Sequence, residues 1–194
     1  MGDRLALDVG CGRNKTKGAI GLDRTLLLGV DVVAEIADSL PFRNNCFRVL
    51  YANHVLEHVT NLTHVLSEFE RVCCPDAVIH IVVPYFTCVG AFGDPTHVRF
   101  FTYYTFDFFT DDTAKDPERY TWFSSIRFHI RRRWIGFGRL FHMLGIEWWA
   151  NRFPHIYENF FPFTLPARTL TVELVVVKSN ATDSSPTMIV TPDE

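Results

Sequence analysis

Residues 4–12 read Arg4-Leu5-Ala6-Leu7-Asp8-Val9-Gly10-Cys11-Gly12, an apolar run that stops at two glycines one residue apart. A short apolar run closed by glycine predicts a buried strand, and glycine at its end lets the backbone turn tightly beside a ligand. Four similar runs follow at residues 19–22, 32–36, 48–52 and 78–83, and Asp23, Asp38, Asn53 and Pro84 close them in turn. Between the last two, Leu62, Val65, Leu66, Phe69 and Val72 repeat at the spacing of one helix face. Short strands alternating with helix predict a parallel α/β sheet, and polar residues at strand carboxyl ends stand where such sheets bind ligands.

The second half is more aromatic. It predicts a loop-like stretch at residues 85–112 with one helix near 103–109, a β-like segment at 121–133, a helix at 135–149 and a final strand at 170–177. No internal repeat or low-complexity linker divides the 194 residues, so residues 1–178 are expected to form one domain. Residues 85–120 form an acceptor-side insertion in it, and 179–194 a flexible tail rich in Ser, Thr, Pro and Asp. The 47% hydrophobic content excludes a disordered chain, and the net charge of −3 argues against broad nucleic-acid binding. No uninterrupted apolar stretch reaches the ~18 residues of a membrane span. Five cysteines without a C-x-x-C pair, and an amino terminus without a signal-peptide core, predict a reduced cytoplasmic protein. On that reading the sequons at Asn61 and Asn180 are chance.

The glycine turn takes meaning from Asp23, which follows Gly12 at the end of the next strand and can accept hydrogen bonds from ribose hydroxyls. A dinucleotide site requires a third glycine and an acid about 20 residues on. Here the third glycine is missing and the acid comes early, so a nucleoside without a pyrophosphate is expected and nicotinamide cofactors are not.

Taken in order, Leu7-Asp8-Val9-Gly10-Cys11-Gly12, Gly21-Leu22-Asp23, Ala37-Asp38-Ser39-Leu40-Pro41-Phe42 and Asn53-His54-Val55-Leu56-Glu57-His58-Val59 resemble the successive motifs of class I S-adenosylmethionine-dependent methyltransferases. The similarity is to the small subgroup with an L-E-H segment after strand four, and it runs over residues 5–84. Cys74-Pro75-Asp76-Ala77 replaces the usual lysine-proline-glycine-glycine turn, while residues 94–102 and 157–161 also look like this subgroup. The fold implied is α/β, a Rossmann-like three-layer sandwich with a mostly parallel central sheet and an antiparallel C-terminal strand. The cofactor implied is S-adenosylmethionine, with Asp8, Gly10, Cys11 and Gly12 beside its methionine end and Asp23 on the ribose. Asp38, Ser39 and Leu40 would meet the adenine, and Asn53 and His54 the sulfonium.

His54-Val55-Leu56-Glu57-His58 also fits H-x-x-E-H, a zinc pattern with two histidines one helical turn apart. It follows a strand end rather than lying in a long helix, and Glu158 and Glu173 have no helical setting as third ligands. The expectation is therefore no metal, with Glu57 and His58 shaping the pocket floor.

On the acceptor side stand Tyr85, Asp94, His97 and Arg99. His97 has a pKa range suited to taking a proton from an acceptor, and Arg99 suits a carboxylate or phosphate. A loop latch explains the same two residues equally well. The aromatic residues around them, Phe86, Phe92, Phe100, Phe101, Tyr103 and Tyr104, are expected to be mainly core. Phe137, Leu140, Phe141, Leu144 and Trp148 make a helical stripe expected to pack over the sheet. Peripheral membrane contact is its alternative, with Arg131-Arg132-Arg133 nearby. The function expected is methyl transfer to an oxygen or nitrogen of a sugar or small metabolite. The rivals are a non-catalytic binder of the cofactor and a zinc hydrolase. The scarcity of helix between the first two strands suggests completion by a partner or second copy.

Overall fold

The computed structural model describes residues 5–110 and 126–178. The tail with Asn180, part of the 85–120 insertion and the start of the 121–133 segment lie outside these described residues.

One seven-stranded sheet forms the centre. Its strands are β1 (Ala6–Val9), β2 (Ile20–Asp23), β3 (Val32–Val33), β4 (Phe47–Asn53), β5 (Cys73–Pro84), β6 (Phe128–Gly136) and β7 (Thr169–Val176), in the order 3-2-1-4-5-7-6. β1 to β5 run parallel, while β7 runs antiparallel to both β5 and β6. β1 lies inside the sheet between β2 and β4, so Leu7 and Val9 are fully buried, and Asp8 beside them is almost so. In β7 burial alternates, with Leu170, Val172, Leu174 and Val176 facing the core.

Helix α1 (Leu62–Val72) joins β4 to β5. Asn61 caps it by accepting from the His64 backbone N–H at 3.1 Å, and its buried stripe includes Val65, Leu66, Phe69 and Val72. At Cys73 the backbone becomes extended and the helix runs straight into β5. Asp76 takes φ +61° in the turn inside β5, the left-handed conformation for which the resembled family uses glycine. No helix joins β1 to β2, β2 to β3 or β3 to β4, so the sheet is thinly covered at that edge.

The third region differs from expectation. In place of one helix over 135–149, β6 continues to Gly136, and three short helices follow: α2 (Arg139–Met143), α3 (Ile146–Arg152) and α4 (Pro154–Phe160). Gly145 breaks the helical run at φ +74°. Glu147 pins the corner, accepting from the Phe137 backbone N–H at 2.9 Å, the Trp134 indole at 3.2 Å and His142 Nδ1 at 3.1 Å. The expected packing of the stripe over the sheet does not hold: Phe137 rests against the core, but Leu140, Leu144 and Trp148 are each about two-thirds exposed. The aromatic cluster is likewise mixed, since Phe101 is core whereas Phe92 and Phe100 stack on each other in the open.

Candidate active site

The carboxyl ends of β1, β2 and β4 border a cleft of about 480 Å³. The turn after β1 is tied to β2, with the Gly10 and Cys11 backbone N–H groups both donating to Leu22 O at 2.8 and 3.2 Å. Gly10 has φ +65°, and a Cβ there would come within 2.5 Å of Val55, so packing as well as conformation requires glycine. Gly12, at φ +51°, has nothing within 4 Å of where a Cβ would stand, which leaves room beside the backbone for a bound molecule.

Asp23 closes β2 and reaches back to this turn. Its Oδ2 accepts from the Gly12 N–H at 2.9 Å and its Oδ1 from the Thr25 N–H at 2.9 Å. A carboxylate has about four acceptor positions, so two remain for hydroxyl donors in the cleft. Asp8 does a different job: nearly buried, it accepts from the Thr16 N–H at 2.6 Å and holds the loop from below, away from the cleft lining. Cys11 is buried, and burial with the nearby Asp8 and Asp23 charges pushes its thiol up, so it acts as filler.

The far wall comes from residues 34–37, with Glu35 and Ile36 flanked by Ala34 and Ala37. Asp38 and Ser39 are exposed and outside this lining. The Leu40 side chain is buried, and its backbone N–H is held by Glu68 at 2.7 Å. The sequence reading missed Arg24, Glu35 and Ala37 as lining residues.

β4 ends at Asn53, which is exposed, and the chain then bends sharply at His54, whose φ is +52°. This bend and the 3₁₀ turn Leu56–His58 place His54, Val55 and His58 on the cleft. His54 Nδ1 lies 3.3 Å from Oε1 of the buried Glu57, whose contact raises the imidazole pKa against the opposing effect of burial.

The acceptor-side residues separate. Tyr85 is fully buried and donates its hydroxyl to Glu158 at 2.6 Å, with burial raising its phenol far above the usual range. It cannot touch an acceptor and is corrected to core. Arg99 donates to Val59 O at 2.6 Å and to Thr60 O, so its guanidinium fastens the loop to the segment after the 3₁₀ turn. His97 is mostly buried and outside the cleft lining; its Nδ1 stands 3.0 Å from Ala91 O. Asp94 accepts from the Thr96 N–H and hydroxyl at 2.8 and 2.6 Å. Glu158 accepts from Tyr85 and the Tyr103 N–H, and Glu173 faces His80 and Arg131, so neither joins the H-x-x-E-H segment.

Residues 14–81 match the methyltransferase-domain family. No curated protein matches the chain in sequence. Solved structures share the fold: an S-adenosylmethionine-dependent methyltransferase from Archaeoglobus fulgidus is 16% identical with a TM-score of 0.55, covering 90% of this chain and 86% of its own. An S-adenosylmethionine-dependent methyltransferase from Mesorhizobium loti is 12% identical at TM-score 0.52, with 88% and 90% covered. The YcgJ protein of Bacillus subtilis is 14% identical at TM-score 0.52, with 91% and 93% covered. The cleft fits the cofactor such proteins use, because the open space beside Gly12 and the free acceptor positions of Asp23 suit a nucleoside with a bare ribose. Residues 14–81 thus match a methyltransferase domain, and the chain shares its fold with S-adenosylmethionine-dependent methyltransferases of known structure.

Proposed function

We propose that the protein transfers a methyl group to an oxygen or nitrogen of a small-molecule or glycan acceptor, and that residues 1–178 act as one catalytic domain. The observation that carries this reading is the His54–Glu57 contact at the edge of the cofactor cleft. Bound in the cleft, S-adenosylmethionine supplies a methyl group made electrophilic by its sulfonium. Asp23 would hold the ribose hydroxyls, and Gly10 and Gly12 would let the backbone lie beside the methionine end. Leu22, Ile36 and Val55 supply an apolar wall that excludes water. Alignment of acceptor and methyl in this dry setting supports most of the rate. Glu57 occupies the Nδ1 side of His54, so Nε2 is the atom that would take the acceptor's proton. His54 would thus take the base role that the sequence analysis weighed for His97 against a loop latch.

The five cysteines are free, and no helix among the described residues is long and apolar enough to cross a membrane. Both observations support a cytoplasmic setting. The exposed Leu140, Leu144 and Trp148, with Arg139 and Arg152 on the same short helices, support transient contact with an anionic bilayer surface.

The test is transfer of a labelled methyl group to panels of sugars, nucleotide-linked sugars, hydroxy acids and amines. Transfer to one class is expected, with His54→Gln lowering kcat about 100-fold while cofactor affinity stays near that of the native protein. Tight cofactor binding without transfer to any panel would replace this reading with that of a non-catalytic binder.

A further inference from the structure

Both histidines of the H-x-x-E-H segment border the cofactor cleft, but with different partners: His54 meets Glu57 Oε1, and His58 pairs with His97 from the 94–99 loop. Their rings meet edge to face with centroids 4.7 Å apart. The hydrogen bonds around them fix where each proton sits. His97 Nδ1 is 3.0 Å from Ala91 O, and a carbonyl only accepts, so Nδ1 carries a hydrogen and the neutral ring keeps its lone pair on Nε2. His58 Nδ1 is 2.9 Å from Thr96 Oγ1, whose own hydrogen goes to Asp94 Oδ1 at 2.6 Å. That hydroxyl therefore accepts from His58, as does Thr96 O at 3.3 Å, and His58 also presents Nε2 as a lone pair.

Glu57 is 1% exposed; its Oε1, the atom that touches His54, also lies 4.0 Å from His97 Nε2, and its Oε2 has no hydrogen-bond partner. Glu57, His58 and His97 together offer three ligand atoms within 4.8 Å of one another. Asp94 Oδ2 stands 3.8 Å from His97 Nε2. Two imidazoles and two carboxylates thus gather as candidate ligands in one place. An unsatisfied buried carboxylate oxygen is costly, and a cation removes the cost. Two imidazoles whose far nitrogens are fixed by a carbonyl and by a hydroxyl–carboxylate relay form the outer shell typical of metal-binding histidines.

We propose that Glu57, His58 and His97 bind a divalent transition-metal ion of the class that favours imidazole with carboxylate, Zn²⁺, Co²⁺ or Fe²⁺, with Asp94 at hand as a further oxygen ligand. The ion would clip the 94–99 loop to the turn after β4, at the rim of the cleft that His58 also lines. The ligand trio differs from the one suggested by the H-x-x-E-H spacing, because His97 takes the place of His54.

The test uses the tag-free full chain after chelator treatment, titrated calorimetrically with ZnCl₂ and, separately, followed by visible absorption on adding CoCl₂. One equivalent is expected to bind, with Co²⁺ giving d–d bands of nitrogen–oxygen coordination. His58→Gln and His97→Gln should weaken binding by roughly 100-fold or more, and Thr96→Val, which touches only the outer shell, by about 10- to 100-fold. Circular dichroism of each variant shows that the fold survives, and S-adenosylmethionine titration of His97→Gln and Thr96→Val, both outside the cleft lining, shows that the cleft does. Absence of stoichiometric binding by the native chain, or binding unchanged in His97→Gln, overturns the proposal.

Discussion

Replacing Arg71 with methionine should lower stability at neutral pH by about 3 kcal/mol, read as a shift in the denaturant midpoint at constant m-value. Arg71 grips Glu68 with two bonds of 2.7 Å and also donates to Leu40 O at 2.9 Å, Phe42 O at 2.8 Å and Asn44 Oδ1 at 2.9 Å. Glu68 is buried on α1 and separately accepts from the Leu40 N–H. Methionine keeps the stem but strands a buried carboxylate and two carbonyls, which explains the size of the effect. The Arg71 guanidinium holds the Glu68 carboxyl below its ordinary value. That contribution is complete above the unfolded carboxyl pKa, about 4.3, and is lost as pH falls through the lower folded value. The gap between native and Arg71→Met protein should therefore narrow below about pH 4. A gap that stays constant down to pH 3 would show that the lost carbonyl bonds, not the ion pair, carry the effect.

Asp23→Ala should weaken S-adenosylmethionine and S-adenosylhomocysteine binding by about 100-fold, since two hydrogen bonds to a carboxylate are worth about 3 kcal/mol. The loss has a second source: the Gly12 and Thr25 N–H groups lose their acceptor, so the turn beside the methionine end loosens. Asp23→Asn retains an acceptor oxygen and should lose less. Calorimetric titration reads all three proteins on one scale. Affinity within about threefold of native in Asp23→Ala, a difference under 1 kcal/mol, would remove the β2 acid from the cofactor site.

The sequence displayed most of the sheet because periodicity follows local burial. α1 runs over Leu62–Val72 as its spacing predicts, and β1, β2, β4, β5 and β7 lie within a few residues of the apolar runs that mark them. Periodicity misled over 135–149, where the apolar spacing is helical but Gly145 breaks the run and β6 claims its first residues. Gly10 and Asp23 were legible because a tight turn and an acid at a strand end each point to a residue type, whereas His54 stood out only through the family resemblance. Glu35 and Ala37 were not, since a wall can be built from many side chains. Asp38 carries the motif yet stands outside the lining, and Tyr85 turned inward to Glu158. The meeting of His58 with His97 depends on a loop folding back across the sheet end, and no local pattern encodes such a contact.

Cys73 closes α1 and opens β5 with no exposed surface, and burial pushes its thiol up to about 12. Cys46, Cys74 and Cys88 are only half-buried. The protein thereby contains its own clock for rare openings. A brief alkylation pulse should modify the half-buried thiols first, and Cys73 only in molecules whose central strands have come apart. The labelling rate at Cys73, followed by mass spectrometry, would report the opening free energy of the sheet's middle under native conditions, without denaturant or dye. Whether a bound cofactor slows that clock would tell how far the cleft's occupancy reaches into the core.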